Sequence, residues 1–102
     1  MKMKTTSVRL PEEIIEEIER ISKEEGVDKG TLLRKLVTES LKEYKIKKAL
    51  ELYREGKISL WKAAEIAGIT YREALEELRM RNIPFRYDVE DLRADVEWAT
   101  EL

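Results

Sequence analysis

Near the start of the chain, the period of the apolar positions changes from two to about three and a half. In Thr5-Thr6-Ser7-Val8-Arg9-Leu10 the side chains alternate: Thr6, Val8 and Leu10 on one side, Thr5, Ser7 and Arg9 on the other. That alternation predicts a short β-strand. Pro11 then presets φ for a helix start, and Glu12 and Glu13 suit the positive end of its dipole. Ile14, Ile15, Ile18 and Ile21 mark one face of a helix over about 11–25, which Gly26 ends. Asp28 is the expected N-cap of a second helix, with Leu32, Leu33, Leu36, Val37 and Leu41 as a broad apolar face. No breaker separates these from Ile46, Ala49, Leu50 and Tyr53, so the helix continues or bends near Tyr44 before Gly56 closes it.

Ser59 is the expected cap of a short helix over 60–67, ended by Gly68. Thr70 and Glu73 have capping-box spacing, with Ile69 and Ala74 placed for a hydrophobic staple. The next helix, over 71–81, has Ala74, Leu75 and Leu78 on its inner face. Ile83-Pro84-Phe85-Arg86-Tyr87 reads as an extended break, because proline discourages helix before it. Asp88 caps a predicted last helix with Val89, Leu92, Val96 and Ala99 on one stripe, flanked by Trp98 and Leu102. The predicted fold class is mainly α: a strand and two helices over 1–45, a helix-turn-helix-like segment over 46–82 and a helical tail over 83–102.

One strand and two helices do not close a core, and an unpaired strand leaves a row of backbone groups unmet. Two copies solve both problems if their strands pair antiparallel above four helices. Val8 and Leu10 then point into the core, while Thr5, Ser7 and Arg9 point outward from both chains. A two-stranded ribbon fits the DNA major groove, where Arg9 can fork onto guanine and Ser7 and Thr5 can meet donors or acceptors. Lys2 and Lys4 add charge beside it. The helix start at Asp28-Lys29-Gly30-Thr31 offers backbone amides for a phosphate, with Lys29 adding charge and Thr31 a hydroxyl. Asp28 is awkward there unless capping occupies its carboxylate.

Composition narrows the chemistry. The 102 residues contain no cysteine and no histidine. That removes disulfides, most transition-metal sites and most nucleophile-plus-base catalysis; carboxylates for magnesium remain. We therefore expect no enzyme activity and no cofactor. Charged residues make up 41% of the chain, with one asparagine and no glutamine, a composition resembling that of proteins from heat-loving organisms. No signal peptide and no apolar run of membrane-spanning length is visible, so the expectation is a soluble, cytoplasmic protein. Net charge is −2, yet its distribution is uneven. Residues 1–11 hold Lys2, Lys4 and Arg9 and no acid, whereas residues 83–102 hold six acids against Arg86 and Arg93. A basic beginning and an acidic end suggest two different partners.

Residues 4–44, KTTSVRLPEEIIEEIERISKEEGVDKGTLLRKLVTESLKEY, resemble the ribbon–helix–helix repressors of the Arc and CopG type. The features carrying this are the alternating strand ending in Leu-Pro, the Gly26-Val27-Asp28-x-x-Thr31 turn and the leucine-rich second helix. The resemblance implies a homodimeric DNA-binding unit with Thr5, Ser7 and Arg9 as base readers. Gly56 to Ile83 has helix-turn-helix grammar, but its second helix sets Glu73, Glu76 and Glu77 against Arg72, Arg79 and Arg81. A neutral recognition helix seeks phosphates poorly, so a structural or protein-binding role suits this half at least as well.

The run ALELYREGKISLWKAAEIAGI, followed by IPFRYDVEDLRADVEWA, is similar to a small antitoxin family of archaea and bacteria. That similarity implies a type II toxin–antitoxin antitoxin that represses its own promoter and blocks a PIN-domain ribonuclease of the VapC type encoded next door. The tail alone supports partner binding: Phe85, Tyr87, Leu92, Val96 and Trp98 offer aromatic and aliphatic anchors on a short segment. Arg86 or Arg93 can reach the acidic site of a ribonuclease, while the six acids suit a basic RNA-binding rim. Alternatively, the tail folds back on 46–82. Two other functions stay open: a DNA-binding transcriptional regulator without a toxin, and an oligomerisation adaptor that binds no DNA.

Overall fold

The computed structural model of the chain describes residues 2–87. They form four helices: α1 (Glu12–Glu25), α2 (Lys29–Arg54), α3 (Leu60–Ala67) and α4 (Tyr71–Met80). The expected strand over Thr5–Leu10 is absent, and with it the ribbon–helix–helix class: no strand or sheet occurs among the described residues. The reason is physical. Alternation is a local property, whereas a strand exists only where a second backbone pairs with it. No described segment of this chain supplies one, and residues 2–11 are all exposed. The expected last helix, with Leu92, Arg93, Val96 and Trp98, lies outside the described residues.

Local chemistry fixes most helix ends. Gly26 takes a left-handed conformation (φ 70°), and its own amide and that of Val27 bond back to Lys23 and Ser22 carbonyls. A side chain there would be strained, so α1 stops. Ser59 accepts from the Lys62 amide at 3.1 Å to open α3, and Gly68 (φ 72°) closes it. The Thr70–Glu73 capping box is complete: the Glu73 amide donates to Thr70 Oγ1 (3.0 Å) and the Thr70 amide to Glu73 Oε1 (2.9 Å). Second helix α2 runs unbroken through Tyr44.

The chain divides into two compact units, Met1–Glu39 and Ser40–Leu102. The second has a true core: Ile46, Ala49, Leu50 and Tyr53 from α2, Leu60, Ala63, Ala64 and Ala67 from α3, and Ala74 and Leu78 from α4. Five alanines let the short helices approach closely; Ile58, Ile69, Tyr71 and Ile83 seal the edges. The Arg81 guanidinium joins two of these helices, pairing with Glu77 at 2.9 Å and with Glu43 of α2. The first unit has far less inside it. Only Ile18, Ser22 and Leu32 are buried, while Val8, Leu10, Ile14, Leu36 and Val37 are exposed. No helix of the described residues is long and apolar enough to cross a membrane.

Acidic groups at the helix caps set a pH dependence. Bonds from the Thr31 hydroxyl and main chain hold the Asp28 carboxyl below its ordinary 3.8. Bonds from Thr70 hold Glu73 below its ordinary 4.5, and the Arg79 side chain does the same for Glu76. A carboxylate whose folded pKa is depressed adds stability above its unfolded pKa and loses it as pH falls through the folded one. No histidine is present to titrate near neutrality. Thermal melts should therefore hold a constant midpoint from about pH 8 to about pH 5.5 and decline only as pH drops below 4.5 and then 3.8. A pH series of melts checks this.

Candidate nucleic-acid interface

An exposed basic arm begins the first unit. Lys2, Lys4, Thr5, Ser7 and Arg9 all face solvent, and no acid falls among residues 2–11. The arm ends at Pro11, whose backbone (φ −56°, ψ 145°) leads into α1. From there the charge reverses: α1 carries seven acids against Arg20 and Lys23. The arm's three cations thus sit on a peptide that joins no helix.

The start of α2 is already occupied by its own side chains. Thr31 Oγ1 donates to Asp28 Oδ1, and Arg34 Nη2 donates to Thr31 Oγ1 at 3.2 Å. Asp28 is therefore an ionised cap at the positive helix end, where its charge is stabilised. Lys29 leans on Glu19 at 3.7 Å, an exposed pair that contributes little energy and yields easily. Gly30 is half-buried, with Asp28 Oδ2 3.3 Å from where a Cβ would sit. Of the expected anchor, the Thr31 hydroxyl and the helix-end charge serve the cap, and Lys29 remains the group most readily turned to a phosphate.

In the second unit, α3, a three-residue turn and α4 have helix-turn-helix form. Two arginines at its end are already paired with acids. Arg79 is tied to Glu76 and Arg81 to Glu77 and Glu43. Glu73 is held in the capping box and Tyr71 is drawn toward the core, leaving Arg72 exposed at the front of α4.

Residues 83–87 follow without helix, and here the structure departs most from expectation. Arg86 turns inward. Its guanidinium donates to the Tyr53 carbonyl (2.9 Å) and the Ile58 carbonyl (2.7 Å), and lies 4.5 Å from the centre of the Tyr53 ring. The buried Tyr53 hydroxyl accepts from the Arg86 amide and donates to the Arg86 carbonyl at 3.1 Å. Phe85 and Tyr87 face outward instead, 49% and 51% exposed, in an edge-to-face pair with centroids 5.9 Å apart. Tyr53, read from the sequence only as a core residue, is the dock for this strap. The two residues are 33 positions apart, and nothing local to either reveals the bond. Among the described residues, no group of three or more acidic side chains is arranged to hold a metal.

Comparison with known proteins places the chain against a family model described as "Uncharacterised protein family (UPF0175)", which matches residues 1–101. A UPF0175 protein of Archaeoglobus fulgidus is 55% identical over 60 residues, 59% of this chain and 69% of that protein. A UPF0175 protein of Aeropyrum pernix is 41% identical over 61 residues, 60% of this chain and 68% of the relative. These names state no activity. The ion-rich, amide-poor composition is in keeping with such archaeal relatives. No solved structure matches.

Proposed function

The chain belongs to the UPF0175 family, and from the division of labour between its two units we propose that it is a self-associating, DNA-binding antitoxin that works by binding and not by catalysis. One observation carries the DNA reading: a fully exposed arm with three cations and no acid precedes a helix of opposite charge. Arms of this kind lie along a DNA groove, with lysine and arginine at phosphates and polar side chains at base edges. Lys2 and Lys4 suit phosphates; Thr5, Ser7 and Arg9 suit base edges. Lys29 is the nearest cation on α2 by sequence to reinforce them.

Self-association follows from the missing core. A unit with three buried side chains does not stabilise itself, because burial in a fold this small does not offset the entropy of ordering. A second copy supplies the cover: the exposed apolar side chains of α1 and α2 meet their equivalents in a symmetric pair. Two arms on one particle then engage two half-sites. The antitoxin reading is an expectation from the sequence resemblance of residues 49–69 and 83–99, and the outward aromatic pair is compatible with it. The expected second partner is a PIN-domain ribonuclease encoded beside this chain.

Binding to a labelled DNA fragment from upstream of the chain's own reading frame tests the arm. The six arm cations of a pair of chains should give a log–log salt slope approaching about −5, or roughly a thousandfold loss for a fourfold rise in salt. Arg9→Ala should weaken the specific site by about 1–3 kcal/mol, while a scrambled sequence changes far less. A flat salt response with unchanged Arg9→Ala affinity would remove DNA from this account and leave an adaptor.

A further inference from the structure

Between Leu41 and Ala49, α2 carries four lysines, Lys42, Lys45, Lys47 and Lys48, and one acid, Glu43. Lys42, Lys45 and Lys48 follow one another at three-residue intervals, the spacing at which helix side chains are neighbours. They form an exposed row beside the buried face of Ile46, Ala49 and Leu50. Lys47, two residues on from Lys45, falls on the opposite side of the helix. The acids nearest in sequence are engaged elsewhere: Glu43 pairs with Arg81, and Glu51 leans to Arg54 at 4.0 Å. Among the described residues, no carboxylate forms an ion pair with any lysine of the row. Other cations of this unit are neutralised: Lys57 by Glu55 at 3.1 Å, Lys62 by Glu65 at 3.4 Å, and Arg79 by Glu76.

The row also has a place in the unit. The Lys45 ammonium stands 3.9 Å from where a Cβ on Gly68 would be, at the corner between α3 and α4. Thr70 keeps the Glu73 carboxyl ionised, and the charge of Lys42 adds to this from across the corner. Glu73 spends that carboxylate on the Thr70 amide at 2.9 Å, so Lys42 is attracted but not paired. Lys48 lies 5.7 Å from the centre of the Tyr44 ring. The positive charge of the helix-turn-helix half is thus carried by α2, while Arg79 and Arg81 at the end of α4 are held by acids.

We propose that Lys42, Lys45 and Lys48 form a sequence-independent phosphate site, through which the second unit holds the backbone of the duplex that the arm reads. The inference rests on the DNA reading above and adds a second point of contact to it. Charge and spacing select this occupant. The row extends about 9 Å along the helix at 1.5 Å per residue. One DNA strand carries a phosphate about every 3.4 Å of axis, so three ammonium groups meet about three phosphates. A lysine is a point charge without the fork of arginine, and its contacts with phosphate position a protein without specifying bases. Sequence reading stays with Thr5, Ser7 and Arg9.

The test measures binding of the full chain to the upstream duplex and to a scrambled duplex of equal length, over a range of salt. The row adds to the arm's share of the salt dependence. Lys42→Gln, Lys45→Gln and Lys48→Gln together should flatten the log–log slope by about 0.9 for each lysine in each bound copy. Affinity for both duplexes should fall by a similar factor, about tenfold or more, with melting midpoint and oligomeric mass unchanged. The three arginine substitutions at the same positions should keep the slope. A control with the same change in net charge, Lys47→Gln with Lys57→Gln and Lys62→Gln, should change it far less. A wild-type slope in the glutamine variant would overturn the phosphate site and leave the arm's DNA reading standing. An equal loss in the control would overturn it too, by assigning the effect to net charge. So would a lower melting midpoint or altered mass in the glutamine variant, which would assign the row to the fold or to self-association. Failure of the wild-type chain to bind either duplex would overturn the DNA reading itself.

Discussion

Leu60→Ala should lower the melting midpoint of the second unit by about 15–25 °C and leave little of it folded at the original midpoint. Leu60 is 0% exposed, at the first turn of α3, among the buried side chains of α2, α3 and α4. Truncating a fully enclosed leucine removes its transfer energy and leaves a cavity, together about 3–4 kcal/mol. The neighbours are poorly placed to collapse into that space: four of the core side chains on α3 and α4 besides Leu60 are alanines, which have no further atoms to swing. A unit of this size holds only about 3–9 kcal/mol in total, so the loss is a large fraction of it. Each kcal/mol shifts the midpoint by roughly 4–8 °C at this length. Differential scanning calorimetry of the full chain measures the effect. A shift under about 5 °C would mean that the cluster is looser than its burial implies.

How much of this architecture was legible beforehand depended on the range of the interaction. Gly26, Ser59, Gly68 and the Thr70–Glu73 pair act within four residues of themselves, and the helix ends they mark lie where expected. The apolar spacing of Ile46, Ala49, Leu50 and Tyr53 likewise identified a face that is buried. The strand failed for the opposite reason: Thr5–Leu10 has the right residues, but pairing is a property of two segments and no local pattern reports it. At the start of α2 the structure adds a local bond to the expected cap. Asp28 was an evident cap, and its bond to Thr31 occupies both residues with each other. Arg86, with Arg93, was expected to reach the acidic site of a ribonuclease unless the tail folded back on 46–82. The contacts Arg86 makes within the chain, to the Tyr53 and Ile58 carbonyls, are distant in sequence. Inner and outer sides of a non-helical strap are decided by what it lies on, not by its own composition.

Replacing Val37 and Leu41 with glutamate should abolish self-association and, with it, tight DNA binding. These side chains stand one helical turn apart on α2, so they share a face. They are 62% and 56% exposed in the single chain. Little is lost inside the chain when they change, because both are more than half exposed, and glutamate is at least as good a helix former as valine. A large cost from the pair of substitutions therefore comes from an interface. Two glutamates from each copy, brought together across a symmetry axis, face both desolvation and mutual repulsion. Light scattering should give the mass of one chain, and the far-ultraviolet helix signal should fall as the first unit loses its cover. Uncoupling the two arms removes the effective-concentration gain, about 10²–10⁴-fold in DNA affinity. Added negative charge near DNA would weaken binding by itself, so the lysine pair, Val37→Lys with Leu41→Lys, separates the causes. It also breaks the interface yet brings four more cations per two chains. If DNA binding falls with lysine as with glutamate, association is what the arms require. If the glutamate chain keeps its mass and its affinity, this face covers nothing, and the first unit is ordered by some other contact.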